Sequence, residues 1–249
     1  MSILLTPSEY LRQTFSERGI ALNDKQTAQF LIYADLLEQK NAVMNLTAIT
    51  GFEEVVRKHF LDSCAPAFVS GVFPDSKAVR LIDIGSGAGF PGIPLKILYP
   101  EMEAVLLDSL QKRVGFLEEV IHALDLKGIS AVHARAEDGA RREDLREQFD
   151  LAVSRAVAAL PVLAEYCLPY VKTGGSFVAY KGADSEKEAE AAEAAVKTLG
   201  GKTPEIRVFT VADADGEPMG RSLIRIGKAR PTPKKYPRKA GTAAKSPLT

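Results

Sequence analysis

Hydrophobic and polar positions follow two different periods along this chain. In the first seventy residues, apolar side chains recur every three or four positions, as between Phe30 and Leu37. This spacing predicts amphipathic helices. Thr6 and Asn23 stand just before the first two apolar stretches, where a side-chain oxygen can cap a helix. A third helix is expected over residues 52–68.

After residue 77 the pattern changes to short apolar runs that are separated by helical stretches. The runs of strand length are "AVRLIDI" (78–84), "EAVLLD" (103–108), "GISAVHA" (128–134), "FDLAVSRA" (149–156), "GGSFVAYKG" (174–182), "EIRVFTV" (205–211) and "RSLIRIG" (221–227). Strands that alternate with helices form right-handed βαβ units. We therefore predict an α/β fold with a doubly wound, mostly parallel, seven-stranded sheet. The last two runs lack a helix between them, which predicts an antiparallel hairpin at one edge.

This pattern divides the chain into three parts. We expect an N-terminal helical extension over residues 1–72, a sheet domain over 73–230 and a basic tail over 231–249. The tail is rich in proline, lysine and glycine, so partial order is expected for it. Among 249 residues, 46% hydrophobic, no apolar run reaches the roughly 18 residues of a membrane span. Cys64 and Cys167 lie far apart and are expected to be core thiols.

The net charge is zero, but the charges are distributed unevenly. No acidic residue follows Glu217, whereas nine basic residues do. A terminus of one sign suggests a polyanionic partner, although a solvated tail would have the same composition.

A glycine loop follows the first strand in "LIDIGSGAGFPGIPL". Gly85, Gly87 and Gly89 can adopt positive φ and let the backbone approach a ligand. Ligands of such sheets bind at the carboxyl ends of the strands, where this loop lies. Asp83 at the strand end could attract a cationic amine or bond the amides of the loop.

The residues after the glycines discriminate between ligands. A phosphate-binding P-loop requires Gly-Lys-Ser/Thr, which is absent. A dinucleotide site favours a small residue where Phe90 stands. Pro91 and Pro94 also remove amide donors from the turn that would hold a pyrophosphate. The loop thus favours S-adenosylmethionine, which carries no phosphate, and the dinucleotide alternative is weakened.

Two further strand ends carry suitable contacts. Asp108 ends the second strand, where a carboxylate can accept both ribose hydroxyls; alternatively it caps the following helix. Ala136 and Glu137 follow the third strand, where they could hold adenine. The ends of the first three strands thus all carry candidate ligand contacts, which strengthens the interpretation that the ligand is S-adenosylmethionine.

Several motifs together resemble one family over nearly the whole chain. They are "NLTAI", "HFLDS", "DIGSGAGFPGIPLKI", "LLDSLQKRVGFL", "SRAVA", "AYKG" and "KYPRKAGTAAKSPL". The chain resembles the glucose-inhibited division protein B family, also called ribosomal small-subunit methyltransferase G. The resemblance implies a class I methyltransferase of the bacterial cytoplasm. Such an enzyme would methylate N7 of one guanine in 16S ribosomal RNA with S-adenosylmethionine as the cofactor.

The cofactor contacts of the family map onto matching positions, namely Gly85, Phe90, Ala136, Glu137 and Arg155. Asp108 lies in the matched "LLDS" stretch, and the spacing adds Gly87 and Gly89. The sequence "GTAAKSPL" departs from the usual "GTPxKxPL" of the family, which leaves the role of the tail open.

Guanine N7 has a free lone pair and no proton, so its methylation requires no general base. We therefore expect catalysis by positioning and desolvation, with no catalytic base and no metal. His122 and His133 are not needed for proton transfer, whereas His59 in "HFLDS" could shape the pocket.

Basic residues are the candidates for RNA contact. Lys181 and Arg221 could bind phosphate or guanine O6, and Arg155 could do so in place of a cofactor contact. In the tail, backbone contact and base stacking are predicted for Lys234, Lys235, Tyr236, Arg238 and Lys239. The expected partner is 16S rRNA or a small-subunit assembly particle. We expect the protein to be a monomer and to have no membrane partner. The rival hypotheses are a nicotinamide-dependent oxidoreductase and a non-catalytic RNA-binding factor.

Overall fold

Seven strands form one sheet in the part of the chain that the computed structural model describes. That part comprises residues 5–74, 78–155, 157–183, 185–212 and 217–248. The strands are β1 (Arg80–Ile84), β2 (Glu103–Asp108), β3 (Ile129–His133), β4 (Phe149–Arg155), β5 (Val171–Gly182), β6 (Glu205–Ala212) and β7 (Pro218–Gly227). Ala156, at the end of the predicted fourth strand, lies outside the described residues.

The order of the strands is β3-β2-β1-β4-β5-β7-β6. Strands β1 to β5 pair in parallel, whereas β7 pairs antiparallel with both β5 and β6. This arrangement confirms the mostly parallel sheet and its antiparallel edge hairpin. The order reverses beside β1, between β2 and β4, so the carboxyl end of β1 is where a ligand crevice is expected.

Helices cover both faces of the sheet. They are α1 (Pro7–Ser16), α2 (Asp24–Met44), α3 (Phe52–Glu54), α4 (Gly92–Leu98), α5 (Gln111–Ala123), α6 (Ala136–Gly139), α7 (Leu160–Cys167), α8 (Glu186–Thr198) and α9 (Thr242–Lys245). Capping boxes begin α1 at Thr6 and α2 at Asn23, as the sequence predicts. Each box satisfies amides that would otherwise lack a partner at the start of the helix.

The third predicted helix is not one continuous α-helix. The structure has α3, then a π-helical segment over Val55–Leu61 and a 3₁₀ turn over Ala65–Ala67. Hydrogen bonds in a π-helix span five residues instead of four, and such segments are frequent at functional sites. The apolar spacing in this stretch does not distinguish the two helix types.

The N-terminal helices bury a cluster of aromatic side chains against one face of the sheet. Phe30, Tyr33 and Phe60 are fully buried, and Tyr33 contacts Phe90 in the glycine loop. Burial of one such side chain contributes roughly 1.5–3 kcal/mol. The helical extension is therefore fixed to the loop that follows β1.

The C-terminal tail packs on the other face of the sheet, in the cluster that includes α7 and α8. Lys228, at the start of this segment, is buried and donates to the Leu168 carbonyl and the Thr232 hydroxyl. The tail is thus more extensively packed over residues 231–248 than its composition suggests. The division of the chain at residues 72 and 230 stays a prediction.

Both cysteines are buried and unpaired, as expected for core thiols. Among the described residues, no helix combines the length and the apolar character that crossing a membrane would require.

Candidate active site

The loop between β1 and α4 depends on glycine at its three predicted positions. Gly85, Gly87 and Gly89 have φ values of 75°, 60° and 101°. A Cβ on Gly85 would lie 2.7 Å from Val157, and one on Gly89 would lie 2.6 Å from the Tyr33 hydroxyl. Both the backbone conformation and the close approach of neighbouring side chains therefore require glycine here.

Carboxylates of the protein itself occupy amides of this loop. Gly87 N donates to Asp108 Oδ2 and Gly92 N donates to Asp83 Oδ2, each at 2.9 Å. The other Asp108 oxygen accepts from Leu110 N. Leu110 is itself the N-cap residue of α5 and no side chain caps that helix, so Asp108 bonds the loop and the residue before the helix and does not cap it. Asp83 and Asp108 thus occupy amides that a pyrophosphate would need, and they leave no cluster of free amides in this part of the loop for a phosphate.

Asp83 has a second feature of interest. It is fully buried, and its Oδ1 has no hydrogen-bond partner among the described residues. Burial raises the pKa of this carboxyl to about 7. Its bond to Gly92 supports the interpretation in which Asp83 orients the loop, and the free oxygen leaves contact with a cationic amine open.

A cavity of about 380 Å³ opens at the carboxyl ends of β1, β2 and β3. Its lining consists of Ile84, Gly85, Leu107, Ser109, Ala134, Arg135, Ala136, Glu137, Val157, Tyr166, Gly241 and Ala244. The volume lies within the usual range for a small-molecule site. We call it the cofactor cavity. Of the predicted cofactor residues, it brings together Gly85, Ala136 and Glu137.

The other predicted cofactor residues lie outside the lining. Gly87, Gly89 and Asp108 shape the loop behind it, and the ribose contact of Asp108 stays a prediction. The Phe90 ring is 6% exposed and faces the N-terminal helices, so its side chain belongs to the aromatic cluster. Its stacking on His59, with ring centres 4.5 Å apart, explains why a large residue stands where dinucleotide sites have a small one.

A second cavity, of about 390 Å³, lies at the ends of β4 and β5. It is lined by Lys58, His59, Asp62, Arg155, Tyr180, Lys181, Gly182, Phe209, Arg221 and Ser222. We call it the basic cavity. It brings together Arg155, Lys181 and Arg221, which the sequence assigned to cofactor or RNA.

Asp62 organises the basic cavity. It is 5% exposed, accepts from Arg155 Nη1 at 2.9 Å and lies 3.4 Å from Arg221 Nε. One carboxylate thus hydrogen-bonds Arg155 and makes a longer ion pair with Arg221, to which its Oδ1 makes no hydrogen bond. Arg155 also donates to the Lys58 carbonyl and lies over the Phe90 ring.

His59 is held as the neutral imidazole. Its Nδ1 faces Arg155 Nη2 at 3.2 Å and its Nε2 faces Thr47 Oγ1 at 2.7 Å. A guanidinium can only donate, so Nδ1 accepts and Nε2 carries the proton. Burial, with Arg155 nearby, lowers the pKa of His59 to about 3. The ring shapes the pocket, as predicted, and carries no charge at neutral pH.

Lys181 is committed to contacts within the protein. Its ammonium group donates to the Ala158 carbonyl and pairs with Glu188, both at 2.7 Å. These bonds fix the segment after β4, so the predicted RNA contact of Lys181 would require exchange of a partner.

The tail residues divide into two groups. The Tyr236 ring is buried and Arg238 makes an ion pair with Glu165, whose side chain is 1% exposed. The prediction that Tyr236 stacks on a base is therefore revised, because the core already covers its ring, and Arg238 is an anchor of the tail. Lys234, Lys235 and Lys239 are exposed, as RNA contact requires.

Sequence reasoning missed Asp62, Val157, Tyr166, Gly241 and Ala244. Asp62 lies in the quoted "HFLDS" motif, Val157 in "SRAVA", and Gly241 and Ala244 in "GTAAKSPL". These motifs were the available signal, whereas Tyr166 required knowledge of the fold. A larger cavity, of about 720 Å³, lies near Val79 and Met102, before β1 and β2. It lies at the amino ends of the strands, whereas the glycine loop lies at their carboxyl ends.

Comparison with known proteins identifies one family for this chain. The sequence model described as "rRNA small subunit methyltransferase G" (GidB) matches residues 26–214. Curated proteins named Ribosomal RNA small subunit methyltransferase G are similar over almost the full length. The Lachnoclostridium phytofermentans protein is 53% identical over 92% of this chain and 93% of its own. The Acetivibrio thermocellus protein is 51% identical over 93% and 92%.

A solved structure supports the fold. M. jannaschii TYW2 in complex with AdoMet aligns with a TM-score of 0.52 at 15% identity, over 68% of this chain and 76% of that one.

Proposed function

The chain belongs to the rRNA small subunit methyltransferase G family, and we propose that it methylates N7 of one guanine in 16S rRNA. S-adenosylmethionine is the methyl donor. The observation that carries the proposal is the position of two cavities at the carboxyl ends of neighbouring strands. One, at β1 to β3, is lined by Gly85, Ala136 and Glu137, and the other, at β4 and β5, is lined by basic residues.

The cofactor cavity fits S-adenosylmethionine. Asp83 and Asp108 occupy loop amides that would bind a pyrophosphate, and Asp108 places a carboxylate at the loop that suits a ligand with ammonium and sulfonium groups. Gly85 would hold the ligand near the loop, and Ala136 and Glu137 would hold adenine. The bound cofactor supplies a methyl group on a positively charged sulfonium.

The residues of the chain position the acceptor and need not remove a proton. Guanine N7 attacks through its lone pair, so no general base is required. His59 agrees with this, because both of its nitrogens are engaged and its pKa is near 3. The catalytic contribution is then orientation and exclusion of water.

We propose that the basic cavity receives the target guanine. Arg221 and Arg155, both paired with Asp62, would bind guanine O6 or a flanking phosphate. The guanine must leave its stack to bring N7 to the methyl group. The exposed Lys234, Lys235 and Lys239 would bind the RNA backbone. The substrate would be rRNA or an assembling small subunit, bound by a monomer in the cytoplasm.

Two experiments test the function. Labelled S-adenosylmethionine, incubated with naked 16S rRNA and with small subunits, should give labelled N7-methylguanosine at one position. Loss of that nucleotide from rRNA of cells without this chain should accompany the result. Absence of transfer to every ribosomal form would contradict the proposal and favour a non-catalytic RNA-binding factor.

Equilibrium binding separates the remaining rival. S-adenosylhomocysteine should bind tightly, and NAD should not compete with it. Tight NAD binding would instead support an oxidoreductase.

A further inference from the structure

The C-terminal segment forms part of the lining of the cofactor cavity. Gly241 and Ala244 lie in this lining together with Gly85 and Glu137, and Gly241 is bonded to Glu137. We propose that residues 236–245 are part of the cofactor site and form the wall that covers the adenosine moiety. This inference rests on the proposed function, since it takes the cavity to be the site of S-adenosylmethionine.

The start of the segment, over residues 236–238, is held by hydrogen bonds with three residues elsewhere in the chain. Arg238 donates to Glu165 through its backbone N at 2.7 Å and through Nη2 at 2.6 Å. Arg146 donates to the Tyr236 carbonyl at 3.0 Å and Arg141 donates to the Pro237 carbonyl at 2.5 Å. A charged bidentate pair with a buried carboxylate is a strong anchor. The wall is thus in place as part of the fold.

One hydrogen bond joins the segment directly to an adenine-binding candidate. Gly241 N donates to Glu137 Oε1 at 2.8 Å. An ionised carboxylate has two acceptor oxygens, so Glu137 can hold the segment with Oε1 and accept from an amine with Oε2. Gly241 has a φ of 79°, which disfavours any residue with a Cβ.

The lining of the cavity around this wall suits an adenine ring. Val157, Tyr166 and Ala244 supply apolar surface, and Glu137 supplies an acceptor for the exocyclic amine. Ala244 is exposed and small, so its methyl group borders the cavity without filling it. A larger side chain at this position would enter the space that the adenosine needs.

The other side of the segment is basic. Lys234, Lys235, Lys239 and Lys245 are exposed, and none of them lines the cofactor cavity. The tail therefore has two functions on two faces, with cofactor contact inside and RNA contact outside. The residues of the inner face, Gly241 and Ala244, are small and uncharged, although the tail as a whole is basic.

The test is calorimetric titration of the full-length protein with S-adenosylhomocysteine. Ala244→Phe should weaken binding by at least about tenfold, and Ala244→Leu by less, because each fills the cavity in proportion to its volume. Ser246→Phe is the matched control, since Ser246 is exposed in the same segment and does not line the cavity. It should bind within about twofold of the wild type. Equal melting temperatures of the three variants would show that they fold alike.

Two results would overturn the inference in distinguishable ways. If the wild type binds S-adenosylhomocysteine and Ala244→Phe binds it equally well, the wall does not touch the cofactor. If the wild type itself fails to bind, the proposed function falls and the inference falls with it. Gly241→Ala gives a second measurement, because a Cβ is strained at a φ of 79° and would disturb the turn that bonds Glu137, so this change should also weaken binding.

Discussion

Asp62 offers the sharpest test of how the basic cavity is built. Its side chain is 7% exposed and that of Arg155 is 14% exposed, with 2.9 Å between the bonded atoms. Arg221 approaches the other oxygen at 3.4 Å. Asp62→Asn removes the charge that both guanidinium groups share. We expect this change to lower both the stability of the protein and its affinity for RNA.

The magnitude follows from burial. Two charges 4 Å apart interact by about 4 kcal/mol at an effective dielectric constant near 20. Breaking a buried pair by removing one partner typically costs about 3–5 kcal/mol. The amide oxygen introduced by Asp62→Asn can still accept one hydrogen bond, so this substitution should cost about 2–4 kcal/mol of unfolding free energy. Arg155→Met should cost somewhat less, because Arg221 continues to pair with Asp62.

A double-mutant cycle measured by urea unfolding isolates the pair. Asp62→Asn, Arg155→Met and the double variant should give a coupling energy of about 1–3 kcal/mol. The Arg12–Asp24 pair is the control, because Arg12 is 39% and Asp24 is 101% exposed, and its cycle should show no resolvable coupling. Additive effects of the Asp62 and Arg155 substitutions would refute the view that one carboxylate organises this cavity.

Three further predictions concern the pocket, the loop and the tail. The lowered pKa of His59 contributes stability that is present above about pH 6.5 and is lost as the pH falls towards 3. From pH 8 to pH 5, the wild type should therefore lose about 2 kcal/mol relative to His59→Gln, as measured by urea unfolding. A pH-independent difference would contradict the neutral, buried imidazole. Tyr33→Phe should cost about 0.5–1.5 kcal/mol, because the Ala88 carbonyl of the glycine loop loses its donor, and thermal unfolding would detect it. Changing Lys234, Lys235 and Lys239 to Ala should reduce the slope of log affinity for RNA against log salt by about 2, with the affinity for S-adenosylhomocysteine unchanged. An unaltered slope would mean that these lysines do not contact the phosphates.

Most of the fold could be predicted from local sequence signals, namely helix caps and short apolar runs. Thr6 and Asn23 cap helices because the chemistry of a cap depends on residues three positions apart. The strand "EAVLLD" is found at Glu103–Asp108 because it is short, apolar and bounded by turn residues. By contrast, the π-helical segment over Val55–Leu61 was missed, since its apolar spacing also suits an α-helix.

Site residues could be predicted where they lie at the ends of strands. They could not be predicted where their position depends on contacts between residues far apart in the sequence. Gly85, Ala136 and Glu137 lie at the ends of consecutive units, so the order of the strands brings them together. Tyr236 looked like a stacking platform because basic residues surround it in the sequence. Its ring is buried because contacts with residues far away in the sequence, such as Arg146, fix the tail.

The aromatic cluster gives the N-terminal helices a role in the chemistry of the sheet domain. Phe90 follows the last glycine of the loop, and its ring contacts Tyr33, His59 and the guanidinium group of Arg155. The same ring thus belongs to the loop after β1 and contacts two residues that line the basic cavity, His59 and Arg155. A small residue at this position, as in a dinucleotide site, would leave His59 and Arg155 without the surface on which they pack. The bulky residue that weakened the nicotinamide interpretation is therefore the element that joins the loop of the cofactor cavity to the basic cavity, the proposed sites of methyl donor and acceptor.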